Sequence, residues 1–145
     1  MDGTAIEPQA PTPLEPAEER SWAMLAHLAT LLNLVTGALG VVAAFIVYWT
    51  YRDRSRYVAY QSLQSGIFQL IFWVGGAILA AAAWVITTAG STILLGLCCV
   101  PFSILVTAIP LGAIVYGIVG GVQCNQGEDF RYWLVGDWVT NKMAQ

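Results

Sequence analysis

Few side chains in the uncharged stretches of this chain could do chemistry: His27, then Gln61, Gln64, Ser65 and Gln69. His27 is the only histidine. A histidine at membrane depth suits a proton carrier or an axial ligand to haem or chlorophyll. The plainer reading, a neutral imidazole bonded to a neighbouring helix, is preferred because no second ligand accompanies it. Gln61, Gln64 and Ser65 share one face of a helix, flanked by Ser62 and Gln69. Amides turned to lipid would leave donors and acceptors unmet, so this polar face should point into a bundle or a water-filled vestibule. A substrate or ion path is the sharper interpretation. Interhelical hydrogen bonding is the preferred one, since no acid or base sits with the amides. Cys98, Cys99 and Cys124 lack metal spacing and read as small core residues, and Asp137 stands apart from any catalytic partner. No catalytic residue, metal site or cofactor is expected.

Charge placement says what must hold these groups. Apolar residues make up 57% of the chain and charged ones 10%, against about one quarter charged in soluble domains. No Asp, Glu, Lys or Arg lies between Arg20 and Arg52, or between Arg56 and Glu128. Such gaps point to lipid as the solvent. The pattern predicts an all-α integral membrane protein with about three long transmembrane helices and a C-terminal interfacial segment. Residues 1–20 read as a disordered, acidic, Pro-rich tail, 21–125 as the helical bundle, and 126–145 as the interfacial piece, in which aromatics alternate with charges.

Each long segment carries a stripe of small residues. In the first, residues 22–49, Ala23, Ala26, Thr30, Asn33, Gly37, Gly40 and Ala44 recur at steps of three and four. That regularity favours one continuous helix, with a re-entrant hairpin broken near Gly37–Gly40 as the alternative. The second, residues 57–88, has Gly76, Ala80, Ala83 and Thr87, and Thr88–Ser91 reads as the turn that ends it. The third, residues 92–122, has Ala113, Gly117 and Gly121. Pro101 and Pro110 should kink it, with a pair of helices split at Pro110 as the alternative. Small residues let helix backbones approach closely.

The short loop with Arg52, Arg54 and Arg56 is expected to be cytoplasmic by the positive-inside rule, in a multi-pass protein of a bacterial inner membrane. Three spans then put the N-terminus outside; the hairpin puts it inside.

Three pieces resemble a bacterial membrane family related to the chloroplast inner-envelope import component, Tic-twenty-like. They are Trp22–Leu28, Arg54–Gln64 and Gly127–Asp137. Tyr60 and Gln64 match its second motif, but Gln61 stands where His is usual. Gly127, Gly136 and Asp137 match the third, with Trp133 in place of the usual Pro. The resemblance implies a small polytopic helical protein with no assigned enzymatic activity, whose plastid relatives are part of a protein-import translocon.

The expected function is therefore non-catalytic: an accessory or assembly subunit, or a translocon-like component, acting through helix packing. Its expected partners are the lipid bilayer and other membrane subunits or itself, and not nucleic acid. A small transporter or channel using the Gln61/Gln64/Ser65 face is the alternative, and a pigment- or haem-associated subunit through His27 a lesser one.

Overall fold

The computed structural model describes residues 12–91 and 95–144. Most of the expected N-terminal tail, and the expected start of the third segment at Thr92, lie outside them. The described residues are helical, without strands.

The first hydrophobic segment is a hairpin, and not the continuous helix that its small-residue spacing favours. Helix α1 (Pro16–Leu28) runs through one 3-10 turn (Ala29–Leu31) into the short α2 (Leu32–Thr36). Gly37 then takes φ +83°, the left-handed region open to glycine, and α3 (Leu39–Tyr51) returns along the first arm. The ends of the hairpin meet where the rings of Trp22 and Tyr51 lie 4.7 Å apart. At Gly40 the arms pass so closely that a Cβ would strike the backbone carbonyl oxygen of Ala29. The helix also begins at Pro16, inside the stretch expected to be a tail.

A four-residue turn carries the chain into α4 (Arg56–Phe68), whose N-cap Ser55 accepts from the Val58 amide at 3.1 Å. A π-helical stretch (Gln69–Gly75) joins α4 to α5 (Gly76–Ser91), so that 36 residues run on without a break. The expected turn at Thr88–Ser91 is helical, with the Ser91 hydroxyl donating back to the Thr87 carbonyl at 2.8 Å. Helix α6 (Leu95–Gln126) continues through Pro101 and Pro110 as one element, so the chain is not split there.

Two helices, Arg56–Ser91 and Gly96–Gln126, are long and apolar enough to cross a membrane. At ~1.5 Å per residue they extend ~54 and ~46 Å, beyond a hydrocarbon core of ~30 Å. The arm α3, with 13 residues, reaches only ~20 Å and falls short of it. Among the described residues, two helices thus have the length and apolarity to span a membrane, and the return arm of the hairpin does not.

The hairpin packs beside the first half of the long pair. Phe45 of α3 covers Gly66 of α4, while Thr30 of the 3-10 turn covers Gly117 of α6, and Leu28 and Met24 of α1 cover Gly121. Among the described residues, α5 and α6 alone continue beyond the hairpin tip, with Gly76 against Pro110. The C-terminal segment closes the opposite end. It turns at Gly127 (φ +84°), sends Phe130 and Tyr132 inward, and finishes in α7 (Gly136–Met143) against α4. Phe130, Tyr132, Val135 and Val139 join Ala23, Phe68, Ala113 and Cys124 in one core cluster, so this segment is packed into the fold. Cys98 is exposed on α6, unlike the core residue expected there, whereas Cys124 is fully buried.

Candidate functional site: a buried polar clasp

Four of the polar groups singled out above converge at the base of the bundle, where Tyr132 joins them. His27 comes from α1, Gln61, Gln64 and Ser65 from α4, and Tyr132 from the closing segment, all buried to within 1% of full exclusion. The Tyr132 hydroxyl lies 3.0 Å from His27 Nδ1, and Gln61 Oε1 lies 3.1 Å from Nε2. Gln61 Nε2 donates to the Asp129 carboxylate at 3.0 Å, which leaves its carbonyl oxygen facing the ring. That oxygen can only accept, so Nε2 carries the imidazole hydrogen and Nδ1 accepts from the tyrosine.

Gln64 extends the chain of bonds. Its amide nitrogen donates to Gln61 Oε1 and, at 2.7 Å, to the Phe130 carbonyl, while its Oε1 accepts from the Tyr132 amide at 3.2 Å. Ser65 donates to the Ala26 carbonyl at 2.9 Å. Aromatic rings seal the network: Phe68 stacks on Tyr132 at 4.0 Å, and Phe130 meets His27 edge-on at 5.4 Å. Burial pushes the Tyr132 phenol well above the usual tyrosine range. It stays protonated and keeps its hydrogen for His27.

A second polar contact lies higher, at the hairpin tip. Asn33 donates to Gln69 Oε1 at 2.9 Å and accepts from the Gly40 amide at 2.8 Å. Gln69 Nε2 donates to Ser65 at 3.0 Å, which links the tip to the clasp. The Gly37 carbonyl accepts from the Trp73 indole, and the Gly37 amide donates to the Asn33 carbonyl at 2.9 Å.

These bonds join α1, α4 and the closing segment to one another. Both His27 ring nitrogens are engaged, so neither offers a lone pair to a haem or chlorophyll. Gln61, Gln64 and Ser65 are fully buried and bonded to protein groups, with none of them turned to a path.

The small residues are placed as follows. Ala26, Thr30, Asn33 and Gly40 are buried inside the hairpin and against α4 and α6, while Gly37 is exposed at the tip. Gly76 and Ala80 face α6, and Ala113, Gly117 and Gly121 lie on the buried side of α6. Thr30 Oγ1 is a buried side-chain atom with no hydrogen-bond partner among the described residues. Three participants were not singled out from sequence: Asp129, Tyr132 as the histidine's partner, and Gly120, where a Cβ would come within 2.9 Å of His27 Nδ1. The only signal for the first two was their place in the third motif.

The charged groups gather around the same end. Arg54 stacks over Tyr51 at 5.7 Å and donates to the Thr12 carbonyl at 3.1 Å. Arg56 reaches the Met143 carbonyl at 3.4 Å, and Arg52 pairs with Asp53 at 3.5 Å on the surface. Asp137 is not solitary: it pairs with Arg131 at 3.0 Å. Of the motif residues, Tyr60 donates to the Gly136 carbonyl at 3.5 Å, and a Cβ at Gly136 would press on Arg131 and Gln64. A Cβ at Gly127 would meet the Arg20 guanidinium.

No curated protein and no solved structure matches this chain. A family model does, over residues 18–139, and it overturns the expected kinship with the plastid import component. The three motifs that suggested that kinship fall inside the matched residues. The chain thus belongs to the magnetosome magnetite crystal formation protein family.

Proposed function

We propose that this protein is a non-catalytic structural subunit of the magnetosome membrane, supporting crystal formation through its packed bundle and the subunits that bundle engages. The observation that carries the proposal is the clasp itself, in which His27, Gln61, Gln64 and Ser65 are each bonded to another part of the chain. Family membership supplies the process; the geometry favours a mechanical part in it.

All six Lys and Arg residues sit at the base, with the closing segment and the start of α1, and the far end near Ser91 carries no charge. By the positive-inside rule this puts the base, with the Arg52–Arg56 loop, in the cytoplasm. Among the described residues, the other side of the membrane would then meet the uncharged ends of α5 and α6.

The test is to purify the tagged full chain from isolated magnetosome membranes in mild detergent. Other membrane subunits, or further copies of the chain, should co-purify in fixed ratio. A strictly monomeric protein, free of any companion in every mild detergent, would contradict the reading. A transport reading would be favoured if Gln61→Leu and Gln64→Leu altered flux in proteoliposomes while the protein stayed folded. No change is expected.

A further inference from the structure

The two halves of the bundle differ in width, and the step between them falls at a defined depth. Trp73, whose indole bonds the hairpin tip at Gly37, sits in the middle of the uncharged run 57–91. Gly76 rests on Pro110, close to the middle of the uncharged run of α6. A pair of helices whose uncharged runs are centred on the bilayer therefore places the hairpin tip near the midplane. Four helical arms fill one leaflet and two fill the other.

Three observations hold the hairpin in lipid instead of water. Its outer face is hydrocarbon, with Val35 87% exposed at the tip and Leu32, Leu39, Val42 and Ile46 each about half exposed. The irregular backbone at the tip is satisfied by protein groups: Gly37 through Asn33 and Trp73, Gly40 through Asn33, and Leu39 through Thr36. Backbone that leaves the helix at membrane depth survives only when it is paired in this way. Its arm α3 is too short to cross, as shown above.

We infer that the protein is a one-leaflet wedge that favours bilayers convex on the side of the Arg52–Arg56 loop. Two additional helices of ~10–12 Å diameter widen that leaflet by roughly 160–220 Å² per molecule over the other. A bilayer relieves this mismatch by curving so that the crowded leaflet lies on the convex side. The inference rests on the membrane reading above for insertion alone and needs no partner subunit.

The full chain is reconstituted at low density into a mixture of vesicles of ~50 nm and ~400 nm, a range over which insertion can depend on curvature. Molecules with the base outward and inward are counted separately by protease access to a C-terminal tag. Base-outward molecules should be several-fold denser on the small vesicles, and base-inward molecules depleted there. Equal density on both sizes, or enrichment regardless of orientation, overturns the wedge. Because no other subunit is present, that failure would leave the co-purification reading untouched. A lone chain in detergent would not by itself refute the wedge.

Discussion

The base and the stem of this bundle are built from the same kind of apolar helix, yet they cohere by different means. At the base, residues distant in the chain meet through hydrogen bonds: His27 with Tyr132, Gln61 with Asp129, Ser65 with Ala26. In the stem, α5 and α6 adjoin in sequence and touch through small residues, with Thr87 and Ser103 hydroxyls at 2.7 Å and Trp84 donating to Thr107 at 3.0 Å. Lipid offers helices no hydrophobic drive to associate, so contacts must come from close packing or polar bonds. The stem uses mostly the first. The base needs the second because it must hold four arms and a closing segment in one arrangement.

The contrast can be broken most severely at the hairpin. Gly40→Val should cost the most, because its new side chain meets backbone atoms of Ala29 and the Asn33 amide, which cannot move independently of the arm. A loss of about 3 kcal/mol or more is expected from such overpacking, read as a fall in thermal midpoint in detergent. Retained stability would mean that the arms are not so closely apposed.

Next comes the clasp. His27→Leu leaves the Tyr132 hydroxyl without its histidine acceptor in a buried site and Gln61 Oε1 with its Gln64 donor alone, at a cost of about 1–3 kcal/mol for the orphaned hydroxyl. Combining it with Tyr132→Phe should recover part of that loss, since the hydroxyl it strands is then gone. Strict additivity of the two changes would show that the two side chains do not bond. In the stem, Thr87→Val should cost only about 0.6 kcal/mol, in line with single interhelical hydrogen bonds in membranes. An effect as large as that of His27→Leu would erase the distinction between the halves. Arg131→Gln, which breaks an exposed ion pair with Asp137, should leave the unfolding midpoint unchanged.

Much of the stem was legible in the sequence. Spacing alone puts Gly76, Ala80, Ala83 and Thr87 on one face, and that is the face buried toward α6. The hairpin was legible only as the alternative suggested by the glycines near Gly37–Gly40, for a physical reason. Its arms both turn small residues inward, and Ala26, Thr30 and Asn33 continue into Gly40 and Ala44 at steps that also fit one straight helix. Periodicity reports which residues are buried, not whether the chain has reversed between them. The clasp was legible only in halves. The glutamine face is visible from helical spacing, but its partners lie 34 and 66 residues away for His27 and Phe130. A single chain contains no signal for such pairings. The same limit explains the family correction, since three short motifs fit more than one kind of small membrane protein until the whole matched length is considered.

The central claim is that α1 and α3 form a hairpin that enters and leaves on one side. The most direct measurement is protease access to tags at the two ends, together with labelling of a single cysteine in the Arg52–Arg56 loop, in sealed vesicles of known sidedness. The account predicts that both ends and the loop are reached from the same side. An N-terminus on the opposite side from the loop and the C-terminus would contradict it, and would restore a first helix that crosses the membrane.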